Sequence, residues 1–228
     1  DKGRVRPLVV DRKLASFDSM ESDFVIERNT VPQDVFDNAV ACIEMKSTEP
    51  SYILYTSGTT GSPKGIQRDT GGYAVALASS MRLIYGCRPG EVFFCASDIG
   101  WVVGHSYLVY GPLINGCNTV MYEGLPTKPH SNIWWDIVEK YSVSVMFTSP
   151  TAIRILKKEK SHNEKQLKNN SLRSLFLAGE PLDTGTSSWV NEKLPNVTVI
   201  DNYWQTETGW PILSCLLYTS DAADELSC

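Results

Sequence analysis

The chain has 228 residues, 42% of them hydrophobic, and both values are ordinary for one globular domain with a sizeable core. Its formal net charge of −5 at pH 7 argues against nucleic acid or an anionic membrane as the main partner. Six cysteines without a Cys-x-x-Cys pair and only three histidines predict neither a disulfide framework nor a zinc site. We identify no apolar run of transmembrane length and no signal peptide, and because the first residue is Asp1 we expect the chain to begin within a longer protein.

Residues 1–50 are weakly periodic and carry no motif that can be assigned to catalysis. The expected features are an apolar patch at Leu8–Val10 and a short helix near Pro32–Ala41. We predict that residues 1–50 form an edge segment of the domain that follows.

The sequence YILYTSGTTGSPKG, at Tyr52–Gly65, is a strand-like run that ends in a loop dense in hydroxyls and glycines. Glycines allow close backbone approach, so N–H groups of such a loop can point to one anion, and Lys64 adds a positive charge. The predicted phosphate-binding residues before the lysine are Thr56, Ser57, Gly58, Thr59, Thr60 and Gly61. The loop is not a Walker A motif, because Pro63 stands where that motif has its second glycine. A flexible linker is the alternative, which the flanking apolar segments disfavour.

Helical and strand patterns alternate after this loop. The predicted helices are Gly71–Tyr85, Ser106–Ile114, Asn132–Tyr141, Ala152–Lys160 and Thr186–Lys193. The predicted strands are Glu91–Ala96, Thr119–Tyr122, Val143–Thr148, Ser174–Leu177 and Thr198–Asp201. This alternation predicts an α/β fold, with a largely parallel sheet flanked by helices on both faces. The charged run Lys157–Lys168 is expected to be a solvated helix end and surface loop.

Two further polar loops follow predicted strands: LAGEPLD at Leu177–Asp183 and DNYWQTETG at Asp201–Gly209. In doubly wound sheets the ligand binds beyond the carboxyl ends of the strands, so we expect these loops and the loop within Tyr52–Gly65 to converge. A fourth segment, SDIGWVVGHSYLVYGPL, begins at Ser97.

These four motifs resemble, in the same order, those of the adenylate-forming enzymes, the AMP-binding superfamily of acyl-CoA synthetases, luciferases and peptide-synthetase adenylation domains. The contexts WVVGHSY and WQTETG are most similar to short-chain acyl-CoA synthetases, in particular the propionyl-CoA synthetase branch of the acetyl-CoA synthetase family, and disfavour the luciferases. The resemblance covers about Ser51–Pro211. It implies an incomplete N-terminal domain of that family, with residues 51–212 as the AMP-binding core and residues 213–228 as a divergent tail.

The resemblance also implies which residues bind nucleotide. Gly179, Glu180 and Pro181 would form one wall of an adenine pocket. The facing wall would be Asp201, Asn202, Tyr203, Trp204, Gln205 and Thr206, with Tyr203 placed to stack on the base. Lys64, Thr206 and Glu207 are the implied catalytic residues: the first two contact phosphate oxygens and Glu207 holds magnesium. Burial of Tyr203 and Trp204 in the core is the alternative.

An acyl pocket is implied at Trp101, Val102, Val103, Ala178 and Trp204. Its two indole rings would leave room for an acyl chain of two or three carbons. In acetate-using members of the family the place of Val103 is typically a threonine and that of Ala178 a valine, so this pocket is expected to favour one further methylene. The alternatives are core packing of Val102 and Val103, and a buried structural role for His105 instead of proton transfer.

The implied activity is ATP-dependent ligation of a short-chain carboxylate to coenzyme A through an acyl-adenylate. Propionate is the expected carboxylate; acetate, or a truncated nucleotide-binding product without turnover, are the alternatives. ATP, Mg²⁺ and coenzyme A as co-substrate are implied, in the cytoplasm or the mitochondrial matrix. Because the family's ribose-binding acid, hinge and C-terminal catalytic lysine have no matching position here, we expect this chain alone to be inactive.

Overall fold

The computed structural model describes residues 8–11, 24–27, 41–57, 61–159 and 171–214. Residues 1–44 and 45–228 form two separate compact units. In the first unit, strands β1 (Leu8–Asp11) and β2 (Phe24–Glu27) pair in parallel. The apolar patch at Leu8–Val10 is thus part of a strand, whereas residues 32–40 of the helix predicted near Pro32–Ala41 lie outside the described residues. The predicted division at residue 50 stays a prediction.

The second unit contains the alternating elements that the sequence predicts. Its strands are β3 (Pro50–Thr56), β4 (Lys64–Asp69), β5 (Val92–Cys95), β6 (Asn118–Val120), β7 (Val143–Thr148), β8 (Ser174–Ala178), β9 (Thr198–Trp204) and β10 (Pro211–Ser214). Its helices are α1 (Thr70–Leu83), α2 (Gly111–Ile114), α3 (Ile133–Lys140), α4 (Pro150–Lys158) and α5 (Thr184–Lys193), and a π-helical segment, Gly104–Tyr110, leads directly into α2.

Six of these strands form one sheet in the order β10-β9-β8-β7-β5-β6. Neighbours from β9 to β6 are parallel, and only the edge strand β10 runs antiparallel, against β9. The register aligns Val145 of β7 with Ser174 of β8, and Ser174 in turn with Thr198 of β9. The predicted α/β class with a largely parallel sheet is therefore confirmed.

Each face of the sheet is covered by its own apolar layer. On one face α1 and the π-helical segment pack on Phe93, Phe147 and Phe176, and the buried Tyr85 ring contacts all three of these phenylalanines. On the other face α3, α4 and α5 pack on residues such as Met146. A parallel sheet is normally buried on both faces, and β7, whose six residues are all buried, shows this most clearly.

The helix predicted at Ser106–Ile114 is confirmed only in its position, because its first part is π-helical. Gly111 N–H bonds to the carbonyl of Ser106, five residues back. Pro112 has no N–H, so the carbonyl of Leu108 receives no bond from it and instead accepts one from Thr119 Oγ at 2.8 Å. Thr119 of β6 thus bonds to the carbonyl that Pro112 leaves without an α-helical donor, and this bond ties the helix to β6.

The strand that precedes the glycine-rich loop does not belong to the six-stranded sheet. β3 and β4 form a separate antiparallel hairpin in which Thr56 pairs with Lys64 and Tyr55 with Gly65. Lys64 and Gly65 therefore lie in a strand, where the sequence alone predicts a loop. Asp69, at the end of β4, accepts a bond from Gly72 N–H at 2.6 Å and so caps α1.

Two isoleucines of α4 provide a test of this packing. Ile153 is fully buried and Ile155 is 41% exposed. We expect Ile153→Ala to lower the free energy of unfolding by about 2–5 kcal/mol, because it leaves a cavity under the sheet. The matched control Ile155→Ala should change it by less than about 1 kcal/mol. Urea titration of both variants measures the difference, and equal losses would contradict the assignment of this face.

Candidate active site

A cavity of about 480 Å³ lies at the carboxyl ends of four neighbouring strands, β5, β7, β8 and β9. Its walls come from the residues that end or follow these strands: 96–98, 147–149, 178–179 and 204–206. Residues 101–103, just before the π-helical segment, complete it. This is the place where open α/β sheets bind ligands.

All five residues predicted to form an acyl pocket line this cavity: Trp101, Val102, Val103, Ala178 and Trp204. Trp204 is fixed by its neighbours, since its ring lies 5.8 Å from that of Tyr107 and 6.0 Å from that of Phe147. Val102 is only 6% exposed, whereas Trp101 is 69% exposed. The cavity therefore has a firmly packed wall at Trp204 and a rim at Trp101.

Six lining residues were missed by the sequence interpretation: Ala96, Ser97, Asp98, Phe147, Thr148 and Ser149. They follow or end β5 and β7, so the rule already applied to the ends of β8 and β9 would have found them. Thr148 Oγ donates to the carbonyl of Ala96 at 3.3 Å, which ties two of the walls together. Ser149 accepts a bond from Ala152 N–H at 3.2 Å and caps α4.

The loop of residues 179–183, between β8 and α5, is held by Arg154 of α4. The Arg154 guanidinium pairs with the carboxylate of Glu180 at 2.9 Å and with that of Asp183 at 2.8 Å. A hydrogen bond from Thr151 and the contact with Arg154 lower the pKa of Glu180. Within the loop, Gly179 lines the cavity with a φ of +106°, a conformation that other residues rarely adopt. Glu180 and Pro181 lie beside the cavity without lining it.

The segment 201–204 differs from the prediction, which placed it in a loop after a strand. It is the last part of β9, because β8 pairs with it on one side and β10 on the other, with Asn202 opposite both Ala178 and Ser214. The Asn202 side chain is buried, with its Nδ2 3.5 Å from the Tyr85 hydroxyl. Tyr203 is 53% exposed, so core burial, the alternative for this residue, is wrong.

The turn of residues 205–209 connects β9 to β10. Gln205 and Thr206 line the cavity, and Glu207 is exposed next to them. Arg68 of β4 donates from Nη2 to the carbonyl of Thr206 and from Nη1 to the carbonyl of Glu207, the latter at 2.6 Å. The turn is therefore bonded to the β3–β4 hairpin.

Only part of the predicted phosphate loop can be placed. Thr56 ends β3, while Ser57, Gly61 and Lys64 are exposed. Gly58, Thr59 and Thr60 lie outside the described residues. None of the described loop residues lines the cavity of about 480 Å³. His105, next to this region, packs its ring 4.9 Å from that of Tyr52.

Comparison with known proteins assigns this architecture. The family model of AMP-binding enzymes matches residues 4–227. The chain belongs to the AMP-binding enzyme family. The match extends over the segment 213–227 as well as over the motif-bearing core, and the predicted division at residue 212 stays a prediction.

Several curated relatives of this AMP-binding chain carry the names of acyl-CoA ligases or synthetases. It is 55% identical over 222 residues to a propionate–CoA ligase of Salmonella typhimurium, covering 96% of this chain and 35% of the relative. It is 56% identical over 210 residues to a propionate–CoA ligase of Escherichia coli, covering 91% and 33%. It is 49% identical over 179 residues to the mitochondrial acyl-CoA synthetase short-chain family member 3 of Bos taurus, covering 77% and 26%. The chain thus spans about a third of the length of the first two.

The donor set of this AMP-binding chain is one that suits a hard cation held largely by a nucleotide. Within the described ranges, no group of three or more His, Cys, Asp or Glu residues is placed to hold a metal ion. Two exposed carboxylates belong to this region: Asp98 lines the cavity, and Glu207 directly follows the lining residue Thr206. Oxygen donors of this kind fit Mg²⁺, which usually takes its other ligands from phosphates and water. No helix among the described residues is long and apolar enough to cross a membrane.

The ion pairs of the loop 179–183 predict a pH dependence. Arg154, and then the hydrogen bonds from Thr186, hold the pKa of Asp183 far below its usual value. As the pH falls, the Asp183 carboxylate is therefore protonated at a higher pH in the unfolded chain than in the folded one. The stability that Asp183 contributes is present above about pH 4 and is lost as the pH falls toward the folded-state pKa.

We accordingly expect Asp183→Asn to lower the urea midpoint at pH 7, and the difference from the unsubstituted protein to shrink as the pH falls below about 4. The control Glu192→Gln removes a charge from an exposed residue of α5, the helix that Asp183 precedes, and should leave the midpoint unchanged. A constant difference from pH 7 to pH 3 would show that the carboxylate is not responsible.

Proposed function

We propose that this chain is the nucleotide- and acyl-binding part of a ligase that joins propionate to coenzyme A through an acyl-adenylate, at the expense of ATP. The observation that carries the proposal is the cavity at the carboxyl ends of β5, β7, β8 and β9, because it is lined by all five residues of the expected acyl pocket. The identity of 55% to a protein named propionate–CoA ligase supports the same substrate.

In the first step, a carboxylate oxygen of the acid attacks the α-phosphorus of ATP. An O–P bond forms, the bond to the β-phosphate oxygen breaks, and pyrophosphate leaves. In the second step the sulfur of coenzyme A attacks the acyl carbon, a C–S bond forms and AMP leaves, while the thiol proton passes to solvent. The acid is already ionised at neutral pH, so the first step needs no general base.

The difficulty of this reaction is the approach of one anion to another. We assign Lys64 and the N–H groups of the glycine-rich loop to phosphate binding, because they supply positive charge and donors to the oxygens of the transferring group. Thr206 is assigned to the α-phosphate region, since it lines the cavity. Glu207 is assigned to Mg²⁺, which when bound would neutralise phosphate charge.

The adenine is assigned to the space between the loop 179–183 and the end of β9. Gly179, the loop residue that lines the cavity, leaves a face without a side chain on one side, and Tyr203 offers an exposed ring on the other. Glu180 and Asp201 are assigned to the border of the same region. Asp201 accepts a hydrogen bond from Leu182 N–H at 3.2 Å. This contact holds the two predicted adenine walls together.

The acyl chain is assigned to the end of the cavity between Val103, Ala178 and Trp204. The first two side chains are apolar and small, and the indole of Trp204 lines the same cavity. We infer from these side chains that this part of the cavity takes an ethyl group in preference to a long alkyl chain. We assign the protein to the cytoplasm or the mitochondrial matrix. Its proposed partners are a small carboxylate, ATP and coenzyme A, and we assign no role to nucleic acid.

The proposal is tested in a complete ligase that contains this chain. With ATP, Mg²⁺, propionate and coenzyme A it should release AMP. Without coenzyme A, but with ATP, Mg²⁺ and propionate, it should exchange labelled pyrophosphate into ATP. Absence of both reactions from a folded complete protein would refute the proposed function. AMP formation that depends on a carboxylate of more than about six carbons would refute the assigned pocket.

For the phosphate role, we expect Lys64→Ala to reduce pyrophosphate exchange by about a hundredfold or more, because it removes a charge that acts on the transition state. The melting temperature should change little, because the side chain is exposed. Lys158→Ala, which removes an exposed lysine from the end of α4, is the matched control and should keep full exchange. A parallel loss of stability and exchange in Lys64→Ala would contradict this role.

For substrate choice, we expect about a tenfold preference in kcat/KM for propionate over acetate, since one methylene is usually worth about 1–3 kcal/mol in a pocket. Ala178→Val fills part of that space and should shift the ratio toward acetate, whereas Val75→Ala, at an exposed residue of α1, should leave it unchanged. Steady-state kinetics with both acids measures the ratio. Acetate used at least as well as propionate, or a ratio insensitive to Ala178→Val, would overturn the propionate assignment.

A further inference from the structure

Arg68 is a buried arginine whose charge is directed at the protein backbone. It lies in β4 and is only 8% exposed. Its two terminal nitrogens donate to consecutive carbonyl oxygens, those of Thr206 and Glu207. Among the residues that the structure describes, no carboxylate pairs with it, and its Nε has no hydrogen-bond partner. A buried charge of this kind is costly, which argues that these two bonds serve a purpose beyond stability.

The surroundings of Arg68 fix both the guanidinium and the turn of residues 205–209. The guanidinium lies 5.6 Å from the centre of the Tyr73 ring, and the Tyr73 hydroxyl is 2.6 Å from Ser106 Oγ. Ser106 Oγ in turn donates to the carbonyl of Gly209 at 2.6 Å. The turn is thus bonded at Thr206 and Glu207 by one side chain and at Gly209 by another.

Gly209 shows how closely the two parts approach. Its φ is +72°, and a Cβ at this position would lie 2.8 Å from Arg68 Cζ. The guanidinium therefore packs directly on the turn backbone, without space for an intervening side chain. The turn also closes on itself through a bond from Gly209 N–H to the carbonyl of Gln205 at 3.1 Å.

Arg68 also has a fixed relation to the lysine of the phosphate loop. Residues 64, 66 and 68 lie on one face of β4, because side chains alternate along a strand. Lys64 and Arg68 are four residues apart, which is about 13 Å along a strand. The same strand thus carries the predicted phosphate lysine at one end and, near the other end, the arginine that holds Thr206 and Glu207.

We propose that Arg68 is a positioning residue of the adenylation site, which sets the position of the Thr206 hydroxyl and the Glu207 carboxylate relative to Lys64. Through it, the three groups engage the triphosphate of one MgATP at a fixed spacing. Arg68 itself bonds only to backbone carbonyls and does not touch the substrate. The inference rests on the proposed function, because it assigns Arg68 a role in binding that nucleotide.

Two substitutions in a complete ligase separate this role from a contribution to folding. Arg68→Met keeps the length of the side chain and removes both bonds, and the KM for MgATP should rise about tenfold or more. Arg68→Lys keeps the charge but has no planar fork, so it should give a smaller rise, of about threefold. The KM for propionate should stay within about twofold in both. Partial unfolding alone would lower kcat and leave both KM values unchanged.

Arg173→Met is the matched control. Arg173 bonds to Glu91 through two nitrogens and also to the carbonyl of Gly86, and it precedes β8 at the opposite end of the sheet. This variant should lose stability with an unchanged KM for MgATP. An unchanged KM in both Arg68 variants, or a rise in Arg173→Met as large as that in Arg68→Met, would overturn the proposal.

Amide hydrogen exchange without nucleotide gives a readout that does not require turnover. Exchange of the amides of residues 205–210 should be about tenfold faster in Arg68→Met, intermediate in Arg68→Lys and unchanged in Arg173→Met. Unchanged exchange in Arg68→Met would also overturn the proposal. Faster exchange in a complete protein that forms no acyl-adenylate would refute the proposed function while leaving the contact between Arg68 and the turn established.

Discussion

Parallel pairing of β5, β7, β8 and β9 is the constraint on which the rest of the structure depends. Parallel strands are joined by crossovers that return to the same end of the sheet, so all four carboxyl ends lie along one edge. The chain leaves each strand at that edge, and the residues that follow become the walls of one cavity. The two apolar layers bury both faces, which leaves this edge as the place where polar groups such as Thr148 and Thr206 can be presented to a ligand.

Two walls of the cavity are held by arginines that do not themselves line it. Arg154 of α4 holds Glu180 and Asp183, while Arg68 of β4 holds the carbonyls of Thr206 and Glu207. The two arginines differ in burial, and the difference matters: the exposed contacts of Arg154 are screened by solvent, whereas the bonds of the buried Arg68 act in a less polar environment. The turn 205–209 is therefore expected to be the more rigid of the two walls.

The sequence was sufficient to predict the sheet and most of its strands, because β7, β8 and the start of β9 are apolar runs separated by helical segments, of which α4 is strongly amphipathic. The resemblance to adenylate-forming enzymes, and not the strand-end rule, assigned Ala178 and Trp204 to one pocket, and both side chains line the same cavity. What the sequence interpretation missed depends on pairing. β9 continues to Trp204 because strands on both sides extend it, and the glycine-rich loop belongs to a separate hairpin because β4 pairs only with β3. Arg68 could not be recognised, as its acceptors lie 138 and 139 residues away and are backbone atoms.

The order β9-β8-β7-β5 has a consequence for how the cavity comes into being. Its walls are contributed by segments from Ala96 to Thr206, so no short stretch of the chain contains a partial version of it. Contacts between residues so distant in sequence stabilise the chain only after the entropy of loop closure has been lost. Parallel sheets accordingly fold slowly. The cavity can form only when the central strands have already aligned. The complete ligand site therefore exists only once β9 has joined the sheet.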